Sequence, residues 1–288
     1  MSLVQALNTK DFAVTAQLNL ADVPSKAALI EIADIVGPAI DAIQLPENLQ
    51  MHMSGIAAAA ILLQQGTDPV VHLNCRDRNR FALQKDILGA VELGASSVVI
   101  TRGKKLPEDK KLAARQVFDV PALEFMAYVR DLKLDDDSVV PSDLFIGAHA
   151  EIFDPDPDWT PKNLIRKCEA GANFVQTQVC FDVDIARNHM AKIVASKLTH
   201  KARFLLALAP LPSAQAAHWV KSNIKGALLP QSIIDRLESS DDPAKEGINI
   251  CAELMREMAD IPGISGVNLL SLGDPQLIPA AIAESGIR

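Results

Sequence analysis

The sequence predicts a (β/α)₈ barrel, formed by a single domain over residues 1–288. Short apolar runs, many of them rich in β-branched residues, alternate with longer amphipathic segments, and eight such strand–helix units fit into the 288 residues. The runs are apolar almost throughout, which is typical of parallel strands that are buried on both faces. A doubly wound open sheet is the alternative, but it usually needs fewer strands, and its G-x-G-x-x-G fingerprint after a strand is absent.

The elements follow in chain order. The predicted strands cover residues 13–20, 41–45, 69–74, 97–101, 144–149, 174–180, 204–209 and 266–271. The predicted helices cover residues 25–36, 54–65, 81–93, 121–132, 161–170, 183–196, 214–222, 243–259 and 275–284. Thr160 is expected to cap a helix that has Pro161 at its first position. Gly94 and Gly171 follow helical patterns, where a left-handed residue is expected. Segments 104–111 and 135–138 are expected to be exposed loops.

Composition narrows the class of protein. With 49% hydrophobic and 22% charged residues, the chain has the balance of a soluble globular protein. A net charge of −8 argues against nucleic-acid binding. No signal peptide and no membrane-spanning run of apolar residues is evident, and the four cysteines lie far apart without a C-x-x-C pair. We therefore expect a cytoplasmic protein with reduced thiols.

In a (β/α)₈ barrel the catalytic and binding groups lie at the carboxyl ends of the strands. The residues expected at this rim are Gln17, Asn19, Glu47, Asn48, His72, Arg76, Asp77, Thr101, Arg102, Gly103, Lys104, His149, Glu151, Gln176, Gln178, Asn268 and Ser271, with Pro210-Leu211-Pro212 after strand seven. In the stretch 71–80 an apolar strand ends in a dense polar cluster.

Two interpretations of this cluster are open. Arg76, Asp77 and Arg78 form either a solvated set of ion pairs or a site for a phosphate or carboxylate, which arginine binds in a bidentate fork. His72 is either a satisfied core histidine or a site residue. His72, His149 and Glu151 could hold a metal, but no H-x-H or H-E-x-x-H spacing supports this, and no metal is predicted.

A set of short motifs is spread over most of the chain. The most specific motif is A-G-A-N-x-x-x-T-Q-x-x-F-D, which begins at Ala170. The others are H-L-N-C-R-D-R-N from His72, Leu88-Gly89-Ala90 through Gly94, Arg102-Gly103, Lys167-Cys168-Glu169, Glu246-Gly247-Ile248 and P-G-I-S-G-V-N from Pro262. In these motifs the chain resembles the methylenetetrahydrofolate reductase family, whose catalytic domain is a flavin-containing (β/α)₈ barrel.

The resemblance implies hydride transfer from NAD(P)H, through FAD, to 5,10-methylenetetrahydrofolate, giving 5-methyltetrahydrofolate. In such enzymes the flavin carries the hydride while the protein orients the reactants. Carrying the family's flavin contacts over by position nominates His72, Arg102, Gly103, Lys167 and Ala172, and Gln178 matches a glutamine at the folate and flavin face. With the rim residues added, the predicted cofactor-binding residues are His72, Arg76, Arg102, Gly103, Lys104, His149, Lys167 and Ala172. Gln178 and Asn48 are predicted to bind the substrate, and Gln17, His149 and Glu151 are the predicted catalytic residues.

Three positions depart from the family pattern. Gln17 stands where the family has a glutamate proposed to be the general acid, and an amide cannot donate a proton as a carboxylic acid does. Lys104 replaces an aspartate near the flavin, and His149 replaces a flavin-stacking tyrosine. Another acid, either His149 or Glu151, would then be needed.

Three alternatives to the flavin-dependent enzyme remain open. The first is a reductase without flavin, and the second is a folate-binding accessory subunit of a methyl-transfer complex. The third, which the glycine and glutamine motifs disfavour, is an unrelated barrel lyase or aldolase. The expected partners are a reduced folate and a nicotinamide, with a homo-oligomer or a partner subunit as further options.

Overall fold

The computed structural model describes residues 1–49, 52–106, 114–133 and 140–287. Its strands are Ala13–Gln17 (β1), Ala42–Leu45 (β2), Pro69–Asn74 (β3), Ser97–Thr101 (β4), Phe145–Ala150 (β5), Phe174–Val179 (β6), Arg203–Leu208 (β7) and Ile264–Leu270 (β8). All neighbouring strands are parallel and follow the order of the sequence, and β8 pairs with β1 to close the barrel. The predicted fold class is therefore confirmed.

Helices surround this barrel. They are Leu3–Thr9 (α1), Lys26–Val36 (α2), Gly55–Gln64 (α3), Arg80–Glu92 (α4), Ala122–Lys133 (α5), Lys162–Glu169 (α6), Val183–Ala195 (α7), Ala214–Asn223 (α8), Gln231–Glu238 (α9), Pro243–Ala259 (α10) and Leu277–Ser285 (α11). Short 3₁₀ helices cover Leu20–Asp22, Gly37–Ala39 and Leu198–His200. No helix in the described ranges is long and apolar enough to cross a membrane.

The amino-terminal end of the barrel is filled with apolar side chains. Strand side chains alternate between the interior and the helices. Six strands contribute one buried side chain each to this layer, namely Ala13, Ala42, Val70, Val99, Phe174 and Leu205, and Phe145 of β5 packs against it. Helix α1 lies under the layer and buries Leu3 and Leu7 against it. A Cβ on Gly147 would lie 2.3 Å from the Phe174 ring, so only glycine leaves room for this phenyl group. The second, larger core lies between the strands and the surrounding helices.

Most element boundaries match the predictions, and the exceptions have physical causes. Strand β1 ends at Gln17 rather than at residue 20, because Asn19 caps the 3₁₀ helix Leu20–Asp22. Pro161, not Thr160, is the residue before the first turn of α6, and no side chain caps that helix. Gly94 and Gly171 have φ values of +96° and +106°, as predicted. Helices α1 and α9 were not predicted.

The two predicted exposed loops fall largely on residues that are not described. Segment 135–138 lies outside the described residues, as does 107–111. Lys104 and Lys105 are described and are exposed, in agreement with the prediction.

Candidate active site

A polar layer lies above the apolar floor inside the barrel. Its side chains come from six strands and are those of Thr15, Gln44, His72, His149, Gln176 and Asn268. Thr15 Oγ1 donates to Asn268 Oδ1 at 2.9 Å and accepts from Gln44 Nε2 at 3.4 Å. Gln44 Oε1 then lies 2.8 Å from His72 Nε2. Because that amide oxygen is an acceptor, His72 carries its hydrogen on Nε2 and leaves Nδ1 without one.

The two histidines of this layer are neighbours. The ring centroids of His72 and His149 lie 5.5 Å apart in an edge-to-face arrangement, and His149 Nε2 lies 3.2 Å from Gln176 Nε2. Burial lowers the pKa of His72 well below 6.5, and nearby His149 lowers it further. Burial, assisted by the charge of Lys167, lowers the pKa of His149 to about 4. Both imidazoles are therefore neutral at pH 7, and His149 is not a protonated acid.

Gln17 lies at the next level toward the rim. Its Oε1 accepts a hydrogen bond from Asn268 Nδ2 at 3.0 Å, which joins it to the polar layer. The structure thus places Gln17 at the carboxyl end of β1 and shows its amide as part of a network. It provides no proton donor at this position.

The charged cluster after β3 is paired within itself. Arg76 contacts both carboxylate oxygens of Asp77, at 2.5 and 2.6 Å, and its Nη1 donates to the Lys104 carbonyl at 3.2 Å. These hydrogen bonds lower the pKa of Asp77. Arg78 bridges Glu47 and Asp86. Both guanidinium groups are therefore paired with carboxylates, as in the ion-pair interpretation, but the cluster is largely buried rather than solvated, because the side chains of Arg76 and Glu47 are each 5% exposed.

Other nominated residues lie around this cluster. Arg102 is exposed, with its guanidinium 4.7 Å from the centre of the Phe118 ring. Gly103 has φ +79°, and a Cβ there would lie 2.7 Å from Arg76 Cβ. Glycine is therefore needed here because the backbone packs closely against the Arg76 side chain. Asn48 Nδ2 donates to Asn19 Oδ1 at 2.7 Å, which ties the loops after β1 and β2 together.

A cavity of 740 Å³ opens on the other side of the rim, at the ends of β5 and β6 beside the start of α6. The groups that give it its chemical character are His149, Glu151, Trp159, Lys162, Lys167 and Lys225. Lys167 Nζ donates to the His149 carbonyl oxygen. Burial lowers the pKa of Lys167, and the charge of Glu151 opposes this effect. Glu151 itself is exposed at the cavity.

Gln178 also lines the cavity, but its side-chain amide is hydrogen-bonded to backbone groups of the protein. Its Oε1 accepts from the Ile152 nitrogen at 3.0 Å, and its Nε2 donates to the carbonyls of Ile152 and Gly226 at 2.9 and 3.1 Å. Gln178 thus fastens the loop after β5 to the loop after α8. No group of three or more potential metal-ligating residues occurs within the described part of the chain.

The sequence interpretation missed the wall formed by residues 151–161, which we call the β5–α6 loop. Helix α7 holds this loop by three hydrogen bonds. His189 Nδ1 lies 3.0 Å from the Phe153 carbonyl, Asn188 donates to Asp154 at 3.0 Å, and Lys192 donates to the Pro157 carbonyl. The signal was the pair Phe153 and Trp159 in one rim loop of a chain with only 4% aromatic residues.

The comparison with protein families decides the family. The model described as "Methylenetetrahydrofolate reductase" matches residues 45–286. The chain belongs to the methylenetetrahydrofolate reductase family. The match covers strands β3 to β8 and the whole of the cavity.

Two individual proteins are similar to the chain. A Caenorhabditis elegans protein described as "Probable methylenetetrahydrofolate reductase (NADPH)" is 25% identical over 248 residues, which are 84% of this chain and 36% of that protein. The chain thus spans about a third of that relative's length. An uncharacterized Clostridium thermocellum protein, solved as binding two copies of 5-methyl-5,6,7,8-tetrahydrofolic acid, has a TM-score of 0.60 at 14% identity. That match covers 98% of this chain and 96% of the other.

The residues nominated for a flavin do not meet on one surface. His72 is 3% exposed and bonded to Gln44, whereas Arg102 lies on Phe118 at the surface. Ala172 lies between α6 and β6, at the amino-terminal end of the barrel, where its nitrogen bonds to the Lys167 carbonyl at 3.0 Å. The described residues therefore do not fit the flavin contacts that the resemblance assigns.

Proposed function

We propose that the protein binds a reduced folate in the cavity at the ends of β5 and β6. We further propose that it reduces 5,10-methylenetetrahydrofolate to 5-methyltetrahydrofolate with NADH or NADPH. The observation that carries this proposal is the lining of the cavity, which combines an indole, lysines and one exposed carboxylate. Family membership supplies the ligand class, and the tetrahydrofolate bound by the Clostridium thermocellum protein of the same fold is consistent with it.

A reduced folate has three parts that this lining suits. Its pterin carries ring nitrogens and an amino group, its p-aminobenzoyl group is a flat aromatic ring, and its glutamate carries two carboxylates. Lys162 and Lys225 offer ammonium groups for the carboxylates, and Trp159 offers an aromatic face. The polar groups His149 and Glu151 lie on the same cavity, where the pterin end can reach them.

The reaction needs one hydride and one proton. The hydride leaves C4 of the nicotinamide and bonds to the methylene carbon, the bond from that carbon to N10 breaks, and N10 takes the proton. Gln17 has no acidic proton, and His149 is neutral at pH 7. Glu151 is therefore assigned as the group that passes a proton from solvent to N10, since it is the acidic side chain among the described residues that line the cavity.

The test compares Glu151→Gln with Asp158→Asn, a matched amide substitution on the same loop. General acid catalysis contributes about a hundredfold or more. Glu151→Gln should therefore lower kcat of folate-dependent NAD(P)H oxidation by at least about a hundredfold, with an unchanged Kd for 5-methyltetrahydrofolate. Asp158→Asn should leave both unchanged. Wild-type protein that binds no reduced folate would overturn the proposal.

The absorption spectrum of the purified protein tests the absence of a flavin step. We expect no flavin band, and we expect folate-dependent oxidation of NAD(P)H without added FAD. A stoichiometric flavin band, or activity that requires added FAD, would contradict the assignment.

A folate-binding accessory protein is the second candidate. It is favoured because many polar groups at the barrel mouth are already paired inside the protein, among them Gln17, Arg76, Arg78 and Gln178. Calorimetric binding of 5-methyltetrahydrofolate without any NAD(P)H oxidation would select this function. Oxidation that requires methylenetetrahydrofolate would exclude it.

A further inference from the structure

Three rings form a cluster beside the cavity. Phe153 and Trp159 meet edge to face with their centroids 5.2 Å apart, and His189 of α7 lies 5.0 Å from each of them. Phe153 and Trp159 line the cavity, whereas His189 is 3% exposed and lies behind them. The indole therefore faces the space that a ligand would enter, and its other contacts fix its orientation.

His189 joins the cluster to the body of the protein. Its Nδ1 lies 3.0 Å from the Phe153 carbonyl oxygen, and burial lowers its pKa. A neutral imidazole that donates from Nδ1 to a carbonyl has a single defined tautomer. His189 thus holds the backbone at Phe153 and packs against both aromatic rings, although it does not line the cavity itself.

The rim offers little other aromatic surface near this space. Strand β7 is followed by Pro210-Leu211-Pro212, which carry no aromatic ring. Within the described lining of the cavity, the aromatic side chains besides the His149 imidazole are Phe153 and Trp159. Lys162 follows Trp159 by three residues and lines the same cavity. In a folate the flat ring next to the glutamate carboxylates is the p-aminobenzoyl ring. A ligand whose carboxylates reach Lys162 therefore brings that ring to Trp159.

We propose that Trp159 stacks on the p-aminobenzoyl ring of the reduced folate, and that His189 is the positioning residue that holds Trp159 in place. This inference rests on the proposed function, because it names the part of the folate that each side of the cavity contacts. The pterin would occupy the opposite side, near His149 and Glu151.

Calorimetry with three probes tests the stacking. The probes are 5-methyltetrahydrofolate, N-(p-aminobenzoyl)glutamate and a tetrahydropterin that lacks the benzoyl group. Trp159→Leu should raise the Kd of the first two on the order of ten- to a hundredfold, the range for losing an aromatic stacking contact. The Kd of the tetrahydropterin should stay unchanged. Trp159→Phe should keep most of the affinity.

Trp219→Leu is the matched control, because this second tryptophan is 53% exposed on α8 and does not line the cavity. It should change none of the three constants. An unchanged Kd for 5-methyltetrahydrofolate in Trp159→Leu would overturn the inference while leaving the proposed function intact. An equal loss for the tetrahydropterin would also overturn it. Absence of folate binding by wild-type protein would instead overturn the proposed function.

Two substitutions of His189 test its positioning role. His189→Asn keeps a donor near Nδ1 and loses the ring, whereas His189→Leu loses both. We expect KM for the folate to rise on the order of tenfold in His189→Leu and less in His189→Asn, with kcat unchanged in both. In a Trp219→Phe background, the fluorescence of Trp159 should shift in His189→Leu. A fall in kcat without a rise in KM would contradict the positioning role.

Discussion

The rim after β3 and the rim after β5 both carry a histidine and several charges, but they differ in what those charges contact. After β3, Arg76 and Arg78 are matched by carboxylates of the protein itself. After β5, Glu151 and the lysines face a cavity. The charged cluster after β3 is therefore structural, and the open site lies two strands away. Density of charge along a chain does not show which charges are left for a ligand.

Glu47→Leu is expected to have the largest effect, by disrupting the charged cluster after β3. Glu47 is 5% exposed at its side chain and holds Arg78 as well as the backbone nitrogen of Asn74. The substitution takes one of two carboxylate partners from Arg78 and leaves the Asn74 nitrogen without its acceptor, which should lower the free energy of unfolding by about 3 kcal/mol. Urea unfolding measures this, and the Kd for 5-methyltetrahydrofolate should stay the same.

The control for this prediction is Glu124→Leu. Glu124 pairs with Arg80 at the surface, where the side chains are 52% and 46% exposed. Exposed pairs contribute little, so the loss should stay under about 1 kcal/mol. Equal losses in the two variants would contradict the structural role of the β3 cluster.

The neighbouring histidines His72 and His149 make the stability of the folded protein depend on pH. Because His72 and His149 have lowered pKa values in the folded state, the unfolded chain binds more protons at acidic pH. For His149 the effect spans the range from its ordinary 6.5 down to about 4, and stability is lost as the pH falls through it.

His149→Asn should therefore reduce the slope of unfolding free energy against pH in this range by up to about 1.4 kcal/mol per pH unit. Urea titrations at a series of pH values measure it. A wild-type slope in His149→Asn would show that this imidazole is not neutral in the folded protein.

Lys162→Met tests whether the lysine at the rim after β5 binds the folate carboxylates. An ammonium group at a solvent-accessible rim contributes about 1 kcal/mol or less, so the Kd for 5-methyltetrahydrofolate should rise about two- to fivefold. The difference should shrink at high salt, because exposed charges are screened. Lys26→Met, on α2 outside the cavity lining, is the matched control. A Kd that changes with neither the substitution nor the salt concentration would show that the folate carboxylates bind elsewhere.

Arg102→Ala carries the smallest expected effect. The guanidinium lies over Phe118 at an exposed position, where a cation–π contact contributes about 0.5–1 kcal/mol. Stability should fall by no more than that, and folate binding and turnover should not change. A large loss of activity would instead support the cofactor-binding role that the resemblance implies for Arg102.

Several features of the fold follow directly from local sequence. Each apolar run forms one strand. A parallel strand buried on both faces is apolar throughout, and this pattern can be recognised from the local sequence alone. Helix α1 was missed although Ser2 and Gln5 form a capping box, which is a local signal. Helix α9 was missed although the amphipathic segment begins right after Pro230.

The site was harder to predict because its contacts join distant residues. Nothing near Arg78 in the sequence shows that Glu47 and Asp86 will both reach its guanidinium. Phe153 and His189 are likewise separated by 36 residues along the chain. His72, His149 and Glu151 were placed at the rim from strand periodicity alone, and their roles toward a ligand stay predictions.

The three hydrogen bonds from α7 to the β5–α6 loop have a kinetic consequence. A wall that is already fastened loses little conformational freedom when a ligand arrives, so its ordering does not oppose association. Mixing protein with 5-methyltetrahydrofolate should then give a single exponential whose rate rises linearly with ligand concentration, and differences in affinity among ligands should reside in how fast they leave.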